Sequence, residues 1–462
     1  MATIERLMFR EYDIRGRESD KELNASSLEL LGKAYGTFLL KKGIHEAVVG
    51  HDNRATSEEF YKASIKGILS TGCNAIEIGL ATTPMFYWSQ YYFKAQGGLM
   101  VTASHNPAGW NGLKLALGYS ATLDQEELQE LYQTILQESF SKGEGKIIRK
   151  EDIFPAYQKD LLSRVSGIKP FKAVVNTGNG TAGFFAPQLL KATGCEVVEY
   201  LTNPDPSYPK YTPNPAKVEM MEDTGAKVKE VKADFGFAFD GDGDRLGLVD
   251  ENGQNIWPDR YLILLSRLLL QKKPGARIVF DVKVSQALPE DIQNHGGVPI
   301  MWKTGHSHIK KKMQEEGAAL GGEMSGHIYF KEGYYGFDDA FFVSLKLLEY
   351  FSSQTKKVSE LIAGTPYYIS SPALHAPCPD DKKYQVVEEL TKEFKRDYEV
   401  IDINGARVLF GDGWGLVRAT SNLPALVLRF EAKTQERLAE IEKIFRDKLK
   451  RYDFVGQEWE SA

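Results

Sequence analysis

Short, wholly apolar runs alternate along the chain with longer amphipathic stretches, and their order repeats. Ala47-Val48-Val49-Gly50, Lys172-Ala173-Val174-Val175 and Arg277-Ile278-Val279-Phe280 each read as a buried strand. Each leads into a polar loop, respectively His51-Asp52-Asn53-Arg54, Asn176-Thr177-Gly178-Asn179-Gly180 and Asp281-Val282-Lys283. A helical stretch follows in every case and ends at a turn, Thr71-Gly72-Cys73, Thr193-Gly194-Cys195 or His295-Gly296-Gly297, before another apolar run. Three copies about a hundred residues apart predict three related α/β domains built on βαβ crossovers. A helix over residues 26–42 precedes the first copy, and Thr56 with Glu59 forms a capping-box pattern that opens its crossover helix.

The pattern changes after the proline-marked stretch Thr365-Pro366, Ser371-Pro372 and Cys378-Pro379, which reads as a linker or hinge. A helical run over 381–394 is followed by Asn404-Gly405 between short apolar segments, a hairpin signal. Strands near Gly415-Val417 and Ala425-Phe430 come next. A final helix opened by Thr434 aligns Leu438, Ile441, Phe445 and Leu449 on one face. The expected architecture is three related α/β domains with mixed sheets, spanning residues 1–150, 151–254 and 255–367. A smaller α+β domain with an antiparallel sheet, 368–462, completes them around a central cleft.

Composition narrows the functional classes without choosing among them. At 462 residues the chain is too long for one ordinary core. Its 42% hydrophobic and 26% charged residues are those of a globular protein in water. A net charge of −6 disfavours a nucleic-acid partner but leaves room for a local basic pocket. Cys73, Cys195 and Cys378 are too scattered for a metal site and odd in number, so buried thiols are expected. No apolar run is long enough to span a bilayer, and the N-terminal residues carry no signal-like segment. A cytoplasmic enzyme with small-molecule partners is expected.

Two loops carry most of the chemistry. Gly98-Leu99-Met100-Val101 reads as a buried strand that delivers Ser104 onto a turn marked by Asn106-Pro107 and Asn111-Gly112. If Asn111-Gly112 reverses the chain, Lys114 returns to the serine. The second loop, Asp240-Gly241-Asp242-Gly243-Asp244-Arg245, sets three carboxylates on alternating positions with glycines between them. Such a loop can wrap one hard cation through oxygen ligands. It is no EF-hand, because Arg245 stands where that loop needs glycine and the flanks read as strands, although Glu251 matches its last ligand. A phosphate on Ser104 would bring about −1.5 to −2 charge, which a divalent ion could bridge to the aspartates. Arg245, Lys114 and Arg15 would then balance the remaining charge.

Further candidates are weaker singly. Tyr12 and Arg15 lie near an early glycine turn. Lys303-Thr304-Gly305-His306 and the stretch Glu323-Met324-Ser325-Gly326-His327 offer groups for vicinal hydroxyls and a histidine able to carry a proton near neutral pH. Arg418, Thr420, Ser421 and Asn422 form one turn suited to a phosphate.

Together these loops resemble the α-D-phosphohexomutase superfamily, most closely its bacterial phosphomannomutase/phosphoglucomutase group. The motifs Thr-Ala-Ser-His-Asn-Pro and Asp-Gly-Asp-Gly-Asp-Arg carry the resemblance, which covers nearly the whole chain. It implies that Ser104 is the phosphoserine donor and that Asp240, Asp242 and Asp244 bind Mg²⁺ together with a phosphoserine oxygen. It further implies that Glu323 and Ser325 read sugar hydroxyls, and that the turn from Arg418 to Asn422 grips the phosphate not being transferred. Lys114, His327 and Arg15 match positions linked to proton transfer and its support, while Tyr12, Lys283, His306 and Arg245 match residues lining the cleft. His105 is expected on the phosphate side.

The implied reaction exchanges hexose 1-phosphate and hexose 6-phosphate through a 1,6-bisphosphate, with glucose 1,6-bisphosphate or its matching hexose analogue as activator. Relatives commonly have Arg-x-Ser-x-Thr or Arg-Ala-Ser-Asn-Thr in the phosphate loop, whereas this chain has Thr420, Ser421 and Asn422 after Arg418 and Ala419. Met324 favours mannose and glucose, because hexosamine-phosphate mutases usually carry Gln there. The competing readings are a phosphoglucosamine mutase and a sugar-phosphate-binding protein without turnover.

Overall fold

In the computed structural model, which describes residues 4–420 and 423–461, the chain divides by contacts into two units. One comprises Met1–Pro258 with Ser325–Ser359, and the other Asp259–Met324 with Glu360–Ala462.

The first unit holds two mixed sheets. The strands Ile14–Arg17 (β1), Glu46–His51 (β2), Asn74–Leu80 (β3), Gly97–Val101 (β4), Trp110–Leu117 (β5) and Ile147–Lys150 (β6) are ordered β1-β5-β4-β2-β3-β6. β2 pairs parallel to both β3 and β4, whereas β5 runs antiparallel to β4 and β1. β4 is buried along its whole length, as its apolar sequence requires. The helix Ala25–Lys41 covers this sheet with Leu28, Leu31, Tyr35 and Phe38 in the core, and Asn24 and Ser27 close its N-terminus as a capping box. In the second sheet, Lys172–Asn176 (β7), Glu196–Tyr200 (β8), Phe235–Phe239 (β9), Leu246–Asp250 (β10) and Asn255–Ile256 (β11) follow the order β11-β10-β9-β7-β8. β7 is parallel to β8 and β9, and β9 and β10 form an antiparallel hairpin around residues 240–245.

In the second unit, Arg277–Asp281 (β12) pairs parallel with Val298–Trp302 (β13) and Leu320–Gly322 (β14). The C-terminal strands are antiparallel, with Gly413–Ala419 and Ala425–Ala432 as the long central pair. Asn404-Gly405 lies in the predicted hairpin, between Glu399–Ile401 and Ala406–Leu409, and Gly405 has a φ of 87°. Thr434 caps the last helix by accepting the Arg437 N–H, and Leu438, Ile441, Phe445 and Leu449 are buried.

Two local expectations fail. Asn111-Gly112 is not a turn but part of β5, paired across β1 with Gly16 and Arg15, because the reversal is already complete at Gly109. A side chain on Gly112 would stand 2.3 Å from the Ile14 carbonyl, so its glycine serves close strand approach. Thr56 makes no capping bond to the helix Ser57–Leu69, and its Oγ1 accepts from Asn111 Nδ2 at 3.0 Å. All three cysteines are free and buried, and burial pushes the Cys73 thiol up to about 12. Among the described residues no helix is long and apolar enough to cross a membrane.

Candidate functional site

β4 ends at Val101, and the chain crosses to β5 through Thr102–Gly109. Ser104 lies in this loop with φ 49°, a left-handed conformation uncommon for a residue with a Cβ. The Thr102 hydroxyl accepts the Ser104 N–H at 2.9 Å. The guanidinium of Arg54, buried against Asp52 at 3.3 Å, donates to four carbonyls of the reversal: Ser104, Asn106, Pro107 and Trp110, at 2.6–2.9 Å. Arg15 adds bonds to the Ala103 carbonyl at 3.2 Å and Asn106 Oδ1 at 2.7 Å, and is itself paired with Asp13. The strained serine is thus over-determined by its surroundings, as such backbone must be to persist.

The β9–β10 loop meets it. Ser104 Oγ donates to Asp240 Oδ2 at 2.9 Å. Asp240 Oδ1 accepts the N–H groups of Asp244 and Arg245, so the first carboxylate also folds its own loop. A Cβ on Gly241 would stand 2.3 Å from the Ser104 carbonyl, and Gly243 has φ 76°. The two glycines therefore do different things, one allowing contact with the serine loop and the other the turn itself. Lys114, on β5, reaches the carboxylate loop, with Nζ 2.8 Å from Asp242 Oδ2 and 2.5 Å from Asp244 Oδ2. Thr83 Oγ1 donates to Asp242 Oδ2 at 2.6 Å.

Charge at the site is far from ordinary. Burial, then the charges of Asp244 and Asp242, push the Asp240 carboxyl well above the usual carboxylate range. Burial pushes Asp242 the same way, but the ammonium of Lys114 and the Thr83 hydroxyl outweigh it and hold this carboxyl low. Burial opposes the charge on Lys114, and Asp242 and Asp244 reverse that, holding it well above its usual value. Burial and the neighbouring Arg245 and Arg15 hold His105 well below the ordinary imidazole value, with its Nδ1 3.1 Å from Ser104 Oγ.

The three aspartates bring one oxygen each within 4.8 Å of one another, a set that could hold a metal ion. Asp242 Oδ1 and Asp244 Oδ1 are buried without a hydrogen-bond partner. Buried carboxylate oxygens left in this state fit a small, hard, divalent cation.

His327 reaches the same place through an isolated antiparallel bridge to Arg245. Its Nε2 accepts from Arg245 Nε at 3.0 Å and its Nδ1 lies 2.8 Å from Asp338 Oδ2. The arginine cannot accept, so the ring proton sits on Nδ1, facing the carboxylate.

In the second unit, Lys283 Nζ stands 3.3 Å from Asp281 Oδ2, which also accepts from the Thr304 hydroxyl at 3.2 Å. Glu323 Oε2 accepts the Gly305 N–H at 2.9 Å, immediately before His306 opens the helix His306–Glu316. Arg418 is buried near the end of its strand. Thr420 Oγ1 is spent on its own turn, bonded to the N–H and carbonyl of Leu423. Ser421 and Asn422 lie outside the described residues. Tyr12 and Ser325 belong to the first unit, both half-buried.

Models of a protein family match the four successive parts of the chain. They are the phosphoglucomutase/phosphomannomutase α/β/α domains I, II and III, at residues 6–142, 155–253 and 257–368, and the C-terminal domain, at 374–448. The phosphomannomutase/phosphoglucomutase of Pseudomonas aeruginosa is 40% identical over 452 residues, covering 98% of this chain and 97% of the relative. The chain belongs to the phosphoglucomutase/phosphomannomutase family. A second family relative, the phosphoglucomutase of Neisseria gonorrhoeae, is 40% identical over 96% of this chain and 97% of its own length. The solved structure of a phosphoglucomutase/phosphomannomutase family protein from Burkholderia thailandensis superposes with a TM-score of 0.91 at 37% identity, covering 97% of this chain and 98% of that one.

Sequence reasoning missed four supports of the site: Arg54, Asp52, Thr83 and Asp338. Arg54 and Asp52 stood in plain view in the exit loop of β2, but nothing local says that the carbonyls Arg54 binds lie some fifty residues on, or that Asp52 serves the site by pairing with that arginine. Asp338 lies eleven residues beyond His327 and reaches it only because Tyr329 and Asp338 bridge.

Proposed function

We propose that this phosphohexomutase moves a phosphoryl group reversibly between the 1- and 6-oxygens of mannose or glucose phosphates, with Ser104 as the phosphate carrier. The observation that carries the reading is the serine itself, strained, buried and hydrogen-bonded to the first of three clustered aspartates. Phosphoserine gives its group to the free hydroxyl of the sugar monophosphate, forming a hexose 1,6-bisphosphate. The bisphosphate reorients and returns its other phosphate to Ser104. Asp240, Asp242 and Asp244 would hold Mg²⁺, which supplies charge neutralisation at the transferring phosphoryl group.

The chain's own side chains do the rest. Lys114 and Arg245 carry positive charge against the aspartates and the serine. His327, with Nδ1 against Asp338, and Lys114 are the groups assigned to proton exchange with the sugar hydroxyl, His327 through Nε2 once Arg245 turns from it to the phosphoryl group. Arg15 fixes the serine loop, and His105 contacts the phosphate. Glu323 and Ser325 read sugar hydroxyls, with Met324 favouring mannose and glucose. Tyr12, Lys283 and His306 are assigned to substrate binding, and the stretch Arg418, Thr420, Ser421 and Asn422 to the phosphate that is not transferred. This reading keeps the division into four domains and places a cytoplasmic enzyme on small sugar phosphates, with glucose 1,6-bisphosphate as activator.

Intact mass and phosphopeptide mapping after incubation with glucose 1,6-bisphosphate and Mg²⁺ test it. The expected product is a single phosphate on Ser104, and its absence there overturns the reading. Coupled assays on mannose, glucose and glucosamine 1-phosphates separate the sugars, and preference for the amino sugar removes the role given to Met324.

A further inference from the structure

The hairpin of β9 and β10 has two ends, and the end away from the aspartates opens on a cavity of about 580 Å³. Five lysines line it: Lys169, Lys229, Lys232, Lys356 and Lys357. They come from three separate stretches of the first unit, ahead of β7, at the end of the helix Val218–Val231, and after the helix Ala340–Ser352. The cavity has two carboxylates, and both are already engaged. Asp234 accepts the Lys172 N–H at 2.8 Å, and Glu251 accepts the hydroxyl and N–H of Ser359.

Among the described residues, no carboxylate pairs with Lys169, Lys229, Lys232 or Lys356. Exposed lysines elsewhere pair readily, as Lys62 does with Glu58, Lys191 with Glu199 and Lys392 with Glu388. Two helices end here, and each C-terminus presents roughly half a negative charge. One lysine at each end would answer that. The four lysines without a carboxylate still leave a positive excess in a chain whose net charge is −6.

The floor is aromatic. Phe235 is buried between Phe171, edge-on at 5.5 Å, and Phe351 at 5.3 Å. Lysine ammoniums bind phosphate as point charges, and phenylalanine takes a flat, apolar ring. The volume falls within the roughly 300–1,000 Å³ of small-molecule sites. The five residues of β9 separate this cavity from Asp240 by about 17 Å at the usual strand rise, so its ligand is not one held by the aspartates.

We propose that this cavity is a second binding site, for a nucleoside di- or triphosphate, with the phosphates on the lysines and the base against the phenylalanines. Calorimetric titration of the full-length protein with ADP, in the presence of saturating glucose 1,6-bisphosphate, tests it. The expected result is saturable binding with Kd below roughly 1 mM, weakened about tenfold or more in Lys229→Glu/Lys356→Glu. The neutral pair Lys229→Gln/Lys356→Gln should fall between, with mutase turnover and melting temperature unchanged in both. Adenosine, lacking phosphate, and glucose 6-phosphate, lacking a base, should each bind at least about tenfold more weakly than ADP. No ADP binding, equal affinity in wild type and the Glu pair, loss of binding when bisphosphate is added, or equal affinity for glucose 6-phosphate would each overturn the proposal.

Discussion

The serine loop and the carboxylate loop touch, yet they are held by opposite means. Residues 240–245 set much of their own turn, because Asp240 bonds the backbone of Asp244 and Arg245 and the Gly243 N–H bonds the Asp240 carbonyl, while Thr83, Lys114 and Thr181 hold the loop from outside. The serine loop imports its shape from Arg54, Arg15 and Thr102, and the first two lie fifty to ninety residues upstream of the groups they bind. A loop that folds itself can be recognised from six letters. A loop shaped from a distance shows its chemistry in the sequence but not its geometry.

Removing the carrier sets the upper limit for damage at either loop. Ser104→Ala should lower turnover by roughly 10³-fold or more and change sugar-phosphate affinity little, because the cradle remains. Steady-state kinetics beside calorimetric binding measure both, and equal losses would argue against the carrier role.

Arg54 tests the imported half of the comparison. Arg54→Met strands Asp52 as a buried, unpaired carboxylate and releases four carbonyls, which should cost about 3–5 kcal/mol in urea unfolding. Arg54→Lys keeps charge but not the planar fork, so it should fold better than Met while still losing turnover. Amide exchange across residues 103–110 should rise in both. Unchanged exchange would mean that the loop holds itself after all.

Gly241 tests the contact between the loops. Gly241→Ala puts a Cβ against the Ser104 carbonyl and should lower turnover about 100-fold, since a displacement of about 1 Å at the reacting atoms has that effect. Gly109→Ala is the control. It has φ 79° with nothing within 4 Å, so it should cost about 1 kcal/mol of stability with a smaller kinetic effect. Similar kinetics for the two variants would show that the close approach at Gly241 does not govern turnover.

The same distinction explains what could be read from the chain. The βαβ repeat, the hairpin at Asn404-Gly405 and the helix opened by Thr434 are local patterns, and they stand where periodicity and turn chemistry place them. Asn111-Gly112 misled because a dipeptide common in turns also suits a strand whose neighbour comes too close for a side chain. Thr56 and Glu59 have the letters of a capping box, but Asn111 competes for the threonine hydroxyl. Ser104, Lys114 and the aspartates were legible because their chemistry is carried by residue type. Asp338 was not, because a carboxylate gains meaning only from the histidine it faces.

Another buried carboxylate extends the comparison to a site with no lysine against it among the described residues. Asp339 caps the helix Ala340–Ser352 by accepting the Phe341 and Phe342 N–H groups, and it accepts the hydroxyls of Tyr157 and Tyr334. Burial nonetheless pushes its carboxyl up to about 6, against an ordinary 3.8. Because the folded state binds the proton more tightly than the unfolded state, this group stabilises most below pH about 4. The contribution is lost as pH rises towards 6, a difference of up to about 3 kcal/mol at 1.36 kcal/mol per unit. Asp339→Asn keeps the cap and cannot ionise, so the wild type minus variant stability difference should fall across that window and be flat above it. Parallel unfolding curves from pH 4 to 7 would show that four hydrogen-bond donors and a helix N-terminus suffice to hold the charge without a cation.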